Sequence, residues 1–270
     1  MNNIKSRISN YIKKVWKAFN RLEMRVLPGN VAFFFVLALI PIITLTIFIA
    51  SKVSISLNTI INFIEQILPN EARRVVVDFI SGKGLDTGMG TFNLIAFVVA
   101  SNGTYAVISA SNTLYKVKDT DPLRDRVKSI VLLIILIMLI IFLIAVPILG
   151  SLFLSMLKNT YLVSQIKNIY RIIKWPFTFF MIYVTLKLIY TIAPSKNISS
   201  KSTTYGALFT TIVWTITTAI FSYYLRFFAN YNVIYGNLSS IIILMMWVYI
   251  ISYVFVMGIA INSVNIYDNN

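Results

Sequence analysis

The chain has no cysteine and no histidine, and only nine of its 270 residues are acidic. Without cysteine there is no disulfide, no thiolate nucleophile and no thiolate-held metal. Without histidine the chain lacks the side chain most often used as general base and metal ligand near neutral pH. None of the acids falls inside the six long apolar stretches, at 31–50, 91–110, 129–157, 175–193, 204–228 and 238–265. Carboxylates and imidazoles within the bilayer, the usual groups of proton relays, are therefore absent.

What remains is apolar. The composition is 58% hydrophobic with a mean hydropathy of +0.79, where a soluble domain is about half apolar. Each stretch is long enough to cross a hydrocarbon core, which takes about 20 helical residues. The expected fold is all-α integral membrane, with six transmembrane helices and an N-terminal interfacial amphipathic helix. Residues 1–27 would form the interfacial helix and 28–270 the membrane domain. Little is left for a soluble catalytic domain, and the first stretch, behind a basic region, is too long for a cleaved signal. Net charge is +15. If residues 1–30 and the connections at 111–128 and 194–203 face one side, that side holds fourteen Lys and Arg against nine on the other. This excess predicts both termini in the cytoplasm. It explains the charge without nucleic acid.

Residues 4–22 read as a helix lying on the membrane. Ile4, Ile8, Ile12, Val15, Phe19 and Leu22 share one face, and Arg7, Lys13, Lys14, Lys17 and Arg21 the other. Pro41 should kink the first span. The segment 53–80 carries a short amphipathic stretch around Ile60–Leu68, and the 158–174 segment reads as a loop. Lys187, near one end of the fourth span, is expected to snorkel to the headgroups. The glycine-rich run 81–90 lacks the spacing and the Lys-Ser/Thr pair of a phosphate loop, so a turn is expected there.

Two spans carry polar stripes. Ser101, Asn102, Tyr105, Ser109 and Asn112 fall on one side of the second span. Thr204, Thr211, Thr215, Thr218, Ser222 and Arg226 do so on the fifth. Both stripes are expected to face the bundle interior. Two explanations stand side by side. Hydroxyls and amides satisfy helix contacts and their own backbone in many membrane bundles. Alternatively they line a hydrated groove for a polar headgroup, with Arg226 at one mouth favouring an anionic one. Three spans precede the 158–174 segment and three follow it, an arrangement also found in inverted-repeat transporters.

The connection before the last span, Asn230-Tyr-Asn-Val-Ile-Tyr-Gly-Asn-Leu-Ser239, makes the chain resemble the YihY/BrkB family of bacterial inner-membrane proteins. Ala193-Pro194, Tyr205-Gly-Ala-Leu, Leu244-Met-Met-Trp-Val-Tyr249 and Ser101-Asn-Gly-Thr-Tyr with Ala110-Ser-Asn-Thr-Leu-Tyr115 match in the same order. The resemblance covers nearly the whole chain. It departs at Gly258-Ile-Ala-Ile-Asn262, where Ala260 stands in place of a family glutamate. The resemblance implies a location in the bacterial cytoplasmic membrane and links to virulence, serum resistance and lipid export. It also brings an old label as a tRNA-processing ribonuclease, which these residues do not support. The only acidic cluster, Asp119, Asp121 and Asp125, lies among Lys116, Lys118, Arg124, Arg126 and Lys128 and reads as a solvated, salt-bridged turn. The expectations are a transporter or flippase for envelope components, or a non-transporting scaffold. Neither is an enzyme, needs a cofactor or metal, or binds nucleic acid. The partner is membrane lipid, with an anionic headgroup favoured.

Overall fold

A computed structural model describes residues 9, 12–13, 15–52, 58, 60–61, 73, 77, 90–118, 120–156, 162–227 and 235–267. These residues form helices and turns, with no strand among them. Six long helices run as α1 (Leu27–Lys52), α2 (Gly90–Leu114), α3 (Pro122–Met156), α4 (Leu162–Ile192), α5 (Thr204–Phe227) and α6 (Ser239–Tyr267). Each contains or closely overlaps one apolar stretch of the sequence. By length and composition two described helices can cross a membrane, Thr204–Phe227 and Ser239–Val264. A third does so if Leu27–Leu39 and Pro41–Ile49, bent by 42°, form one span. The bend is at Pro41, which lacks the N–H for the helical ladder.

Local chemistry sets the ends. Asp121 accepts the backbone N–H of Leu123 (3.0 Å) and of Arg124 (3.4 Å), with Pro122 as the first helical residue of α3. This is an N-cap followed by a residue that has no N–H to lose. At the end of α2, Val117 N–H reaches the Asn112 carbonyl and Lys116 N–H the Thr113 carbonyl. Lys116 has φ 49°. That pair of bonds and the left-handed residue make a Schellman cap without its usual glycine. Gly236, at φ 52°, takes the left-handed conformation in the turn before α6 that a residue without Cβ adopts freely.

α6 is the central helix. It is apolar around its whole circumference, as a helix surrounded by others must be, and packs on α1 and α5 while touching α2. Over half of its spanning window is buried (56%), against 22% for α5. α1 packs on α2, α2 on α3, α3 on α4 and α4 on α5, closing the bundle. Small residues permit the closest contacts. A Cβ at Gly103 would come within 2.8 Å of the Ala38 Cβ on α1. A Cβ at Gly206 would strike the Gly258 carbonyl, and one at Gly258 would strike the Thr210 and Tyr190 hydroxyls. α5 and α6 thus meet backbone to backbone.

Three expectations need correction. The 158–174 segment is helical from Leu162 onward, because Ile166, Ile169, Tyr170 and Ile173 already recur at helical spacing. Arg21 does not lie on the outer polar face. It turns inward, donating to Ser263 Oγ (2.5 Å) and to the Leu114 carbonyl (3.1 Å). It answers an orphan carbonyl at the end of α2, where a cation is also favoured by the helix dipole. Asp125 is buried rather than solvated. The N-terminal segment otherwise keeps its outward apolar face. Ile12, Trp16, Phe19 and Leu22 are exposed, while Ala18 and Met24 dock on the bundle. Lys187 is half-buried, its Nζ 5.8 Å from the centre of the Tyr183 ring. Residues 1–8, nearly all of 53–89 and Tyr231 lie outside the described residues.

The glycine contact gives a direct test. Gly206→Val should cost about 3 kcal/mol by overpacking, read as a lower Tm in detergent micelles. An unchanged Tm would mean that the two backbones do not touch there.

Candidate functional site

The two polar stripes meet different fates. On α2, Ser101 is buried and its hydroxyl donates to the Val98 carbonyl at 2.7 Å. Asn102 and Tyr105 are half-buried and Ser109 is exposed. Asn112 is buried at the basic end of the bundle. On α5, Thr211 is buried and donates to the Ala207 carbonyl (2.8 Å). Thr215 is exposed and donates to the Thr211 carbonyl (2.9 Å). Thr218 and Ser222 are half-buried, and Arg226 is exposed with its guanidinium carbon 5.4 Å from the Phe227 ring centre. The expectation that both stripes face inward therefore fails at Ser109, Thr215 and Arg226. A threonine that bonds the carbonyl four residues back can face lipid at little cost. α2 and α5 are not packed together as principal neighbours; α6 touches both.

The interhelical bonds use other residues. The Tyr190 hydroxyl from α4 donates to the Phe255 carbonyl of α6 at 2.8 Å and bonds the Thr210 hydroxyl of α5 at 2.8 Å. Trp214 Nε1 donates to the Ile251 carbonyl (2.7 Å). Asn262 Oδ1 accepts the Gly206 N–H at 2.7 Å, capping the start of α5 from a neighbouring helix. Thr210, one residue from the expected Thr211, carries the contact because it faces α6. Pairing small residues four apart, Gly206 with Thr210 and Gly258 with Asn262, was the sequence signal for this seam.

A second network closes the basic end. Asn112 Nδ2 donates to Asp125 Oδ2 (2.9 Å) and to Ser195 Oγ (3.0 Å). Ser195 returns its backbone N–H to Asn112 Oδ1 (2.7 Å) and its hydroxyl to Asp125 Oδ1 (2.5 Å). Lys128 Nζ donates to the Pro194 carbonyl. Burial holds the Lys128 ammonium's pKa below its ordinary value, with Asp125 opposing that shift and Arg124 adding to it. Nearby, Thr104 Oγ1 donates to the Ser129 carbonyl (2.7 Å), and Arg126 donates to Asn102 Oδ1 (2.8 Å). The carboxylate of Asp125 is thus engaged on both oxygens by a side-chain amide and a hydroxyl. Asp121 is used as a cap, and Asp119 lies outside the described residues. Among the described residues no group of three acidic, histidine or cysteine side chains could hold a metal. The carbonyl of buried Ala260 accepts a hydrogen bond from the Ser263 hydroxyl, whose oxygen in turn accepts one from Arg21.

Long apolar helices joined by interhelical hydrogen bonds, with basic residues gathered at one end, define a helical membrane protein. The chain belongs to the virulence factor BrkB family, whose model matches residues 15–269. It is 27% identical over 259 residues to the ribonuclease-like protein YfkH of Bacillus subtilis, covering 94% of each chain. It is 25% identical over 248 residues to a UPF0761 membrane protein of Cronobacter sakazakii, covering 88% of this chain and 82% of that one. A UPF0761 membrane protein of Haemophilus influenzae is 22% identical over 251 residues, 90% of each chain. No solved structure matches it.

The Asn112–Asp125–Ser195 network should behave as one unit. Asn112→Ala and Asp125→Ala should each cost about 1–3 kcal/mol, because each strands a buried partner. In a double-mutant cycle followed by thermal melting, the two should couple by about 1 kcal/mol or more. Additive losses would show that they do not share a network.

Proposed function

We propose that the chain crosses the bacterial cytoplasmic membrane six times, with its basic end inward, and passes a lipid or amphiphile of the envelope along the exposed polar residues of α2 and α5. The six helices match the six apolar stretches. The basic end gathers Arg21, Arg25, Lys116, Lys118, Arg124, Arg126, Lys128, Lys196 and Lys201, which supports a cytoplasmic orientation. In this reading residues 1–27 rest on the inner leaflet through Ile12, Trp16, Phe19 and Leu22.

The carrying observation is that Thr215 and Arg226 are exposed on α5 beside the outward Ile212, Ile216 and Ile220. The Arg226 guanidinium offers charge-assisted hydrogen bonds to an anionic headgroup, while the Thr215 hydroxyl, its proton on the Thr211 carbonyl, offers an acceptor to a headgroup hydroxyl or amine. Asn102, Tyr105 and Ser109 serve in the same way on α2, with Thr218 and Ser222 on α5. Ser101, Asn112 and Thr211, being buried, support the passage from behind. The ribonuclease-like name of the Bacillus relative is not carried over. This chain has no histidine, and the buried Asp125 already has two hydrogen-bond partners. Among the described residues that leaves no general acid–base pair.

The burial of Ser101, Asn112 and Thr211 favours a second reading, a non-transporting scaffold for envelope biogenesis. Transbilayer movement of labelled phospholipid in proteoliposomes separates the two. Under the first reading the protein moves lipid faster than empty liposomes. Arg226→Ala then slows it about tenfold, the loss expected of one charged hydrogen bond, and Thr215→Leu slows it about threefold. Rates equal to empty liposomes would leave the scaffold.

A further inference from the structure

Arg126 starts near the beginning of α3, yet its guanidinium does not turn out toward the end of the bundle. It donates to Asn102 Oδ1 at 2.8 Å and to the Val98 carbonyl at 3.5 Å, both on α2. Thr104 lies opposite the Ser129 carbonyl, so Asn102 and Val98 are deeper in the bundle than the first turns of α3. Asn102 lies twelve residues before Leu114, about 18 Å along the α2 axis at 1.5 Å per residue. A guanidinium held against the side of a neighbouring helix in this way is within reach of an anion at the lateral surface.

Its neighbouring acids are committed elsewhere. Asp125 faces Asn112 and Ser195, and Asp121 caps α3. Among the described residues Arg126 has the Asn102 amide oxygen and a backbone carbonyl for company, and no carboxylate. Two of its five donors are so engaged, which leaves donors for an anion.

The surface around it has a direction. Ile95, Val98, Asn102, Tyr105 and Ser109 follow one another at three- and four-residue spacing along one face of α2. Ile95 and Val98 are exposed and apolar and lie in the half of α2 away from the basic end. Asn102, at the midpoint of α2, and Tyr105 are half-buried, Ser109 is exposed, and the three run from the midpoint toward the basic end. Polar toward the basic end and apolar away from it is the polarity of a lipid in the leaflet on that side.

We propose that this face binds one phospholipid of net negative charge from the leaflet at the basic end, its phosphate on Arg126 and Asn102 and its acyl chain on Val98 and Ile95. A guanidinium binds a phosphate oxygen pair in a fork, the Tyr105 and Ser109 hydroxyls reach the rest of the headgroup, and the apolar half of the face holds the chain. The site deepens the lipid-passage reading by giving it an entry point on α2, far from Arg226. It is a statement about equilibrium binding, and it stands or falls apart from transport.

The test uses the full chain in phosphatidylcholine liposomes with photo-crosslinking phosphatidylglycerol or phosphatidylcholine, the photo-group near the top of one acyl chain. Labelling of the peptide spanning residues 95–109 is quantified. In the wild type, phosphatidylglycerol should label it about fivefold more than phosphatidylcholine, as one basic residue near the surface provides. Arg126→Gln should bring the two lipids to parity and Arg126→Lys should retain most of the preference. Lys196→Gln, the same charge loss elsewhere on the basic end, should leave it intact. Inorganic phosphate at millimolar concentration should not compete. A wild type without preference, a preference surviving Arg126→Gln, equal losses in the Gln and Lys variants or in Lys196→Gln, or competition by free phosphate would each overturn the site. Labelling of α2 without any transbilayer movement would instead defeat only the passage reading.

Discussion

A polar group buried where water cannot reach must find its partner within the protein, and the bundle is arranged around that requirement. Tyr190 and Thr210 bond across α4, α5 and α6. Asn262 satisfies the opening turn of α5, and Arg21 the closing turn of α2. Asn112, Asp125 and Ser195 answer one another from three separate parts of the chain. Apolar packing alone would not set a register between helices already surrounded by hydrocarbon. Directional bonds do, and among the described residues most of the long-range ones lie in the half of the bundle nearer the basic end.

Such a distribution separates structure from chemistry. Among the described residues the one buried carboxylate, Asp125, is held by an amide and a hydroxyl, an arrangement that joins helix ends and leaves little freedom for proton transfer. Among side chains that reach the surface, Arg126, Ser109 and Arg226 keep hydrogen-bonding capacity to spare. A protein built in this way is suited to meet lipids along its sides.

The elements were legible where hydropathy speaks. The six helices fall on the six apolar stretches, Pro41 bends α1, and Gly236 takes the positive φ that its turn requires. The start of α4 was missed because Lys167, Arg171 and Lys174 suggested a loop, although the apolar residues between them keep helical spacing. Partner choice was less legible. Thr210 and Thr211 are equal as residues, and only the position of α6 decides which one bonds across the seam. Asp125 looked solvated among its basic neighbours, since nothing local announces that Asn112 and Ser195 converge on it. Arg21 and Arg126 were read by their place in the sequence, and long side chains can carry charge several ångströms away from where their backbone lies.

The glycine seam has a mechanical consequence. Near Gly206 and Gly258 the two helices touch through backbone atoms, reinforced by Thr210 and Asn262, so neither sliding nor separation is cheap. Toward the far end, Phe221 and Leu225 meet Ile243, Leu244 and Trp247 through large apolar side chains alone, whose attraction has no preferred direction. The pair is therefore fastened unevenly, by backbone contact and directional bonds at the basic end and by apolar contact at the other, where Arg226 sits.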